Sequence, residues 1–253
     1  MTTALITGAS AGLGAEFARQ LAAEGHDLVL VARSRTALDA LAAELAAAHG
    51  VATEVLTADL TDPEDIERVA ARIADPDAPV DVLVNNAGYG LDLDFAANDI
   101  EAEAAHLRIH VETPLRLSHA ALGAMLARGG GRIVNVASVA GFIPRATYGA
   151  VKGFMIAFSR WSNVRYRARG VTTTAVCPGY THTRFHERLG LPIGEEGVPR
   201  IMWLDAPDVV RSGLRASRKG RAVNVPSARY KAIVALTRVL PDGLLARLGE
   251  RGR

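Results

Sequence analysis

Short apolar runs alternate along the chain with longer stretches in which apolar residues return every three or four positions. The runs are "TALIT" (3–7), "HDLVLVA" (26–32), "ATEVLTA" (52–58), "VDVLVN" (80–85), "GRIVNVA" (131–137), "VTTTAVC" (171–177) and "AVNVP" (222–226). Their length and β-branched content predict strands, and the scarcity of polar positions in several predicts strands covered on both faces. The intervening stretches predict helices near 12–24, 35–49, 63–74, 99–127 and 148–168. "TDPED" (61–65) reads as a helix start, with Thr61 or Asp62 as the cap, Pro63 in the first turn and acids at the positive helix end. Strict alternation of strand and helix implies right-handed crossovers and a parallel sheet with helices on both sides. The rhythm breaks over 183–220, which reads as an inserted lid. Beyond residue 226 the chain is helical and amphipathic, interrupted at Pro241. Three readings of this tail stay open: it folds over a pocket, joins subunits, or lies on a membrane surface.

Composition narrows the picture modestly. At 253 residues, 49% hydrophobic and 22% charged, the chain has the length and apolar content for one large domain with a sizeable core. A formal net charge of +2 gives no global reason to expect a nucleic-acid partner. The basic excess is local, in the last part of the chain, where Arg211 to Arg253 meet few acids. A solvated surface accounts for it, with an anionic substrate or membrane surface as the sharper alternative. Cys177 is the only cysteine, so no intramolecular disulfide forms, as suits a reducing cytoplasm. Its strand-like surroundings predict a buried, inert thiol. The N-terminus enters a strand at once, with no basic leader and no long apolar span.

Chemistry enters at the first strand–helix junction. "LITGASAGLG" (5–14) places Gly8, Gly12 and Gly14 where the chain leaves a strand and opens a helix. Glycines there allow a tight turn and close approach of a ligand, and the helix start offers free N–H groups to a pyrophosphate. The second strand ends "LVLVARSR", with Arg33 where a site for NAD commonly has an acid. A guanidinium suits a 2′-phosphate, so NADP is the expected dinucleotide. Further on, "TYGAVKG" sets Tyr148 and Lys152 four apart, on one face of a helix, ten residues after Ser138.

"TGASAGLG" (7–14), "NNAG" (85–88), Ser138, "YGAVK" (148–152) and "PGYTHT" (178–183), in this order, resemble the short-chain dehydrogenase/reductase family in its short single-domain branch. The resemblance covers the chain to about residue 226. It implies a Rossmann-like, doubly wound, seven-stranded parallel sheet, and a homodimer or homotetramer joined through the helices near 99–127 and 148–168. It also implies roles. Gly8, Ser10, Gly12, Leu13 and Gly14 resemble the pyrophosphate loop, and Asp59 and Leu60 the adenine wall. Asn86, Ala87 and Gly88 resemble the segment bordering the cofactor ribose. Pro178, Gly179, Thr181 and Thr183 resemble the loop that holds the nicotinamide carboxamide. Ser138, Tyr148 and Lys152 resemble the catalytic set.

The tyrosine–lysine pair then has a chemical meaning. Hydride transfer to a ketone builds negative charge on oxygen, which needs a proton donor beside it. Free tyrosine titrates near ~10, and an ammonium one helical turn away is expected to bring that value down. Lys152 would also hold the nicotinamide ribose, while Ser138 would donate to the substrate oxygen. Two features depart from the family pattern. The loop "FIPRA" (142–146) is about three residues short, and His110 stands where the family carries an active-site asparagine that holds a relay water. Two readings of His110 stay open: it holds that water or titrates, or it merely packs.

Phe142, Ile143, Tyr180, Phe185, Leu189 and Trp203 are candidates for an apolar substrate pocket, with ordinary core packing as the alternative for each. His182 and His186 lie four apart, but without a third ligand they read as lid residues, and no metal is expected. The whole predicts an NADP(H)-dependent oxidoreductase acting on the carbonyl or alcohol of a moderately apolar small molecule. The competing classes are a non-catalytic dinucleotide-binding regulator and a membrane-associated lipid reductase.

Overall fold

The computed structural model describes residues 2–183 and 198–250. Seven strands form a single sheet: β1 (Thr3–Thr7), β2 (Asp27–Ala32), β3 (Thr53–Thr57), β4 (Val82–Asn85), β5 (Gly131–Val136), β6 (Val171–Val176) and β7 (Val223–Asn224). All neighbours are parallel, in the order β3-β2-β1-β4-β5-β6-β7. The order reverses between β1 and β4, and in such sheets ligands bind beyond the strand C-termini at that switch point.

Period-2 alternation explains how one strand serves two layers. In β1, Ala4 and Ile6 face α1 (Gly12–Ala23), α2 (Arg35–His49) and a later helix, joining Phe17, Leu21 and Leu38 in one core. Leu5 faces the opposite layer, with Ile66 and Val69 of α3 (Pro63–Ala74) and Leu117 and Met125 from the fourth helical stretch. The start of α3 is capped by Asp62, whose carboxylate accepts from Glu64 N and Asp65 N, with Pro63 in the first turn.

The helix predicted over 99–127 is three segments. α4 (Ile100–Leu107) and α5 (Thr113–Arg128) are joined by a π-helical turn, Arg108–Glu112. A π turn inserts extra backbone and rotates the following residues around the axis, and it recurs at functional sites. Here it carries Ile109 and His110, both buried. α6 (Ala146–Tyr166) begins two residues earlier than predicted, with Ala146 at φ 44.

The lid expected over 183–220 is corrected in part. Residues 206–218 form α7 (Ala206–Arg218), packed against α1 as part of the helix layer. Val209, Val210 and Leu214 bury against the same core as Phe17. Residues 184–197, including Phe185, His186 and Leu189, lie outside the described residues. The tail forms α8 (Ala228–Leu236) and α9 (Asp242–Glu250). Among the described residues no helix is long and apolar enough to cross a membrane.

Candidate active site

The turn between β1 and α1 has the conformation that its glycines were expected to provide. Gly8 and Gly12 lie at φ 67 and 57, in the left-handed region. A Cβ on Gly14 would overlap the Gly8 carbonyl oxygen, so only glycine fits. No side chain caps the start of α1, leaving its N–H groups to a ligand. The segment after β4 is stitched to this turn. Asn86 N and Ala87 N donate to Thr7 Oγ1 at 2.9 and 3.1 Å, and Asn86 Nδ2 donates to Thr7 O at 2.9 Å.

Arg33 follows β2 with its guanidinium largely exposed, 3.9 Å from the Asp59 carboxylate. Burial would push the Asp59 carboxyl up, but hydrogen bonds from Thr61 and the charge of Arg33 together hold it below its ordinary value. Arg35 is engaged with Asp39 at 2.9 Å. Leu60 is buried, its carbonyl accepting from Thr113 Oγ1 at 2.8 Å.

Ser138, Tyr148 and Lys152 converge at the C-terminal ends of β5 and β6. Ser138 caps a short 3-10 turn, its Oγ accepting from Ala140 N at 3.1 Å and hydrogen-bonding the Tyr148 phenol. Lys152 is buried, with Nζ donating to Val136 O at 2.9 Å and lying 5.6 Å from the Tyr148 ring centre. The electrostatics differ from expectation. Burial dominates Tyr148 and pushes it up to about 12; the Ser138 hydrogen bond and the charge of Arg145 pull the other way. Lys152 is itself pushed down to about 8 by burial. The expected lowering of Tyr148 is therefore absent, and Arg145 is the cation that acts on it. Cys177 is buried and its thiol raised to about 12, an inert group.

His110 lies against the tyrosine, the two rings at 90° with centroids 5.8 Å apart. Its Nε2 is 2.7 Å from Tyr89 O and 3.3 Å from Tyr89 N. The short contact assigns the proton to Nε2 as donor and leaves Nδ1 an acceptor. Burial first, then the charges of Lys152 and His106, hold the imidazole well below its ordinary value, so it is neutral. A Cβ on Gly88 would overlap the imidazole, so glycine is what lets the ring seat there. His110, Lys152 and Asn85 also line a small inner cavity of about 10 Å³, the size of one water. Asn85 Oδ1 is buried without a hydrogen-bond partner.

The loop after β6 is fixed from below. Tyr230 of α8 donates its hydroxyl to Met202 O at 2.8 Å and accepts from Tyr180 N at 3.1 Å. A Cβ on Gly179 would overlap the Tyr230 ring. Thr181 Oγ1 donates to Gly179 O at 3.0 Å, and Thr183 stands beside Gly12.

Gly8, Gly12, Arg33, Asp59, Asn86 to Gly88, His110, Ser138, Tyr148, Lys152 and the loop after β6 line one cleft of about 1250 Å³ that runs from Arg33 past Ser10, Leu13 and Pro178 to Tyr148. That exceeds the usual range for a single small ligand and leaves room for a dinucleotide with a substrate. Of the apolar candidates, Ile143 and Tyr180 line the cleft. Phe142 instead packs on the core near Met155, and Trp203 stacks on His182 with ring centres 4.8 Å apart. The sequence reading missed most of the tail's contribution. Ile233, Leu236, Leu240 and Leu245 form one wall, so the tail folds over the cleft. It also missed Asn85, which donates to Asn135 Oδ1 at 2.8 Å and Ser118 Oγ at 3.1 Å. An asparagine at matching places in two otherwise apolar neighbouring strands was the available signal.

A family model described as short chain dehydrogenase matches residues 2–192. The chain belongs to this family. As a member it is a nicotinamide-dependent oxidoreductase that works between carbonyls and alcohols. It is 36% identical over 215 residues to the galactitol 2-dehydrogenase (L-tagatose-forming) of Cereibacter sphaeroides, covering 83% of this chain and 82% of that one. Among solved structures it resembles a short-chain dehydrogenase from Sphingobium yanoikuyae in complex with NADPH, with TM-score 0.85, 35% identity and 94% of each chain covered. It also resembles a bulky-bulky ketone specific alcohol dehydrogenase from Comamonas testosteroni, with TM-score 0.81, 31% identity, and 96% and 93% of the chains covered.

Proposed function

We propose that this short-chain dehydrogenase is an NADP(H)-preferring carbonyl reductase or alcohol dehydrogenase for a bulky, largely apolar ketone–alcohol pair. The observation that carries the reading is the Ser138–Tyr148 hydrogen bond with Lys152 beside it, at the wall of a cleft that continues to the glycine turn. The NADPH complex of one similar structure and the ketone specificity of another support the cofactor and substrate class. The glycine turn and the start of α1 would hold the pyrophosphate, Arg33 the 2′-phosphate, and Asp59 and Leu60 the adenine. Asn86 to Gly88 and Lys152 would border the ribose, and the loop from Pro178 to Thr183 the carboxamide. A nicotinamide held there would supply or accept the hydride. In reduction, Tyr148 passes its proton to the substrate oxygen while Ser138 donates a hydrogen bond to the same atom. In oxidation the phenol would pass its own proton toward the neutral Lys152 amine as it takes the proton of the alcohol. Oxidation of NADPH over a panel of ketones, followed by absorbance, tests the reading; NADPH binding without turnover across the panel would leave the regulator class instead.

The pH dependence follows from Lys152. A lysine in water keeps its proton to ~10.4, but here the proton is lost as pH rises through about 8. Tyr148, raised to about 12, stays protonated over that range. Ketone reduction is expected to hold steady below the lysine value and to fall above it, and alcohol oxidation to rise over the same interval. A reduction rate that stays flat well above that pH would contradict the assignment.

We assign His110 the water-holding place, because its bare Nδ1, Lys152 and the unpartnered Asn85 Oδ1 belong to residues around a one-water cavity. His110→Asn is expected to keep substantial turnover. His110→Ala should lose turnover per folded molecule, and also melt at a lower temperature because the Tyr89 backbone loses its partner. An alanine variant with full specific activity would leave only the packing role.

We read the homo-oligomer contact as the outer face of α6, where Phe154 and Phe158 stack at 6.1 Å and Trp161 is 55% exposed.

A further inference from the structure

We propose that Arg145 receives an anionic group on the substrate, so that the natural ligand is a bulky apolar carbonyl compound carrying a carboxylate; this rests on the oxidoreductase reading above. Arg145 lies in the shortened loop between Ser138 and Tyr148 and lines the substrate end of the cleft. Its charge acts on the Tyr148 phenol, pulling its pKa down against the effect of burial. The backbone is fixed there. Arg145 O accepts from Gly149 N at 2.7 Å, and Ala146 follows as the sole non-glycine residue at positive φ among those described. Such a conformation carries strain, and strain of this kind clusters at ligand clamps.

The other cations of the cleft have work elsewhere. Arg33 stands beside Asp59 at the far end, and Lys152 donates to the Val136 carbonyl. Arg145 donates to the Tyr180 hydroxyl at 3.3 Å, and no carboxylate among the described residues lies within ion-pair distance of it. Among the described residues this neutral acceptor is the one hydrogen-bond partner of a side chain with five donors. The same cleft has apolar lining in Ile143, Met202, Ile233 and Leu236. A partly buried guanidinium among such residues is matched by a planar anion that takes two N–H bonds, and a carboxylate has that shape. Phosphate and sulfonate can take the same two N–H bonds; a carboxylate is the smallest of the three and brings the least polar bulk into the cleft. The apolar remainder of the substrate then meets the tail, and its carbonyl meets Tyr148 and Ser138.

The test compares 3-benzoylpropanoate with its methyl ester, measuring NADPH-dependent turnover and calorimetric affinity for each. The unaltered enzyme is expected to favour the acid over the ester about tenfold or more in kcat/KM and in affinity. Arg145→Gln should shrink that acid-to-ester ratio roughly ten- to hundredfold, and Arg145→Lys should keep part of it, since it retains the charge without the fork. Equal affinity of the unaltered protein for acid and ester would overturn the proposal. So would an Arg145→Gln variant in which both ligands suffer alike, which would leave the arginine acting only through Tyr148. Turnover of neither ketone, with the affinity difference intact, would count against the reductase reading and leave the anion site standing.

Discussion

Tyr148→Phe is expected to lower turnover by about a hundred- to ten-thousandfold, the usual range for a positioned acid–base group. The substitution keeps the ring, so its contacts with His110 and His106 persist. It removes one hydroxyl, and with it the Ser138 hydrogen bond and the proton that the proposed mechanism passes to the substrate oxygen. Deleting a buried polar group together with its desolvation cost has offsetting consequences for stability, so the melting temperature should move little. NADPH affinity should also persist, because Lys152 and the glycine turn are untouched. Turnover, melting temperature and cofactor affinity measured on the same preparation separate chemistry from folding. Near-normal turnover on a ketone that the parent enzyme reduces well would place the acid elsewhere.

Arg33→Asp is expected to reverse or erase the preference for NADPH over NADH. A charge-assisted contact with a phosphate contributes on the order of 1.5–3 kcal/mol, a ten- to hundredfold effect. The neighbourhood sharpens this. Arg33 is 75% exposed and 3.9 Å from Asp59, so it can turn toward a phosphate without leaving a buried partner behind. An aspartate in its place would stand beside that same carboxylate, repelling a phosphate and offering acceptors to a ribose diol instead. Arg35, engaged with Asp39, is poorly placed to compensate. Dissociation constants for both dinucleotides, measured at fixed ionic strength, give the comparison. Tighter binding of NADH by the unaltered protein would end the argument.

Much of the frame was readable because a doubly covered sheet leaves a coarse signature. Every strand from β1 to β7 coincided with an apolar run, and the glycines of the first turn sat where left-handed backbone was required. What escaped detection had weaker local signals. The π turn at 108–112 changes the phase of a helix without changing its composition, so "RIHVE" reads as ordinary helix. α7 falls inside the stretch read as a lid because the strand–helix rhythm breaks there, yet its sequence is compatible with helix. Pro207 occupies the first turn, where proline is tolerated, and a Cβ on Gly213 would lie 2.8 Å from Val176. The direction of the Tyr148 shift was misjudged for a related reason. Spacing on a helix reveals that an ammonium is near, but not how thoroughly both groups are dehydrated, and dehydration decided the sign. The cleft wall from Ile233 to Leu245 is long-range in origin, and no local pattern says which of three surfaces an amphipathic tail will cover.

The tail also bears on how such an enzyme changes over generations. The dinucleotide turn, Ser138, Tyr148 and Lys152 belong to the sheet and its flanking helices, whereas Ile233, Leu236, Leu240 and Leu245 belong to a late segment. Leu236 remains 52% exposed even while lining the cleft. Replacing such side chains reshapes the space offered to a substrate at little cost in stability, since few of them are fully enclosed. Selection for a new ketone can therefore act on the tail while inheriting the hydride chemistry intact. Randomised libraries for altered scope belong at these four positions rather than around the tyrosine.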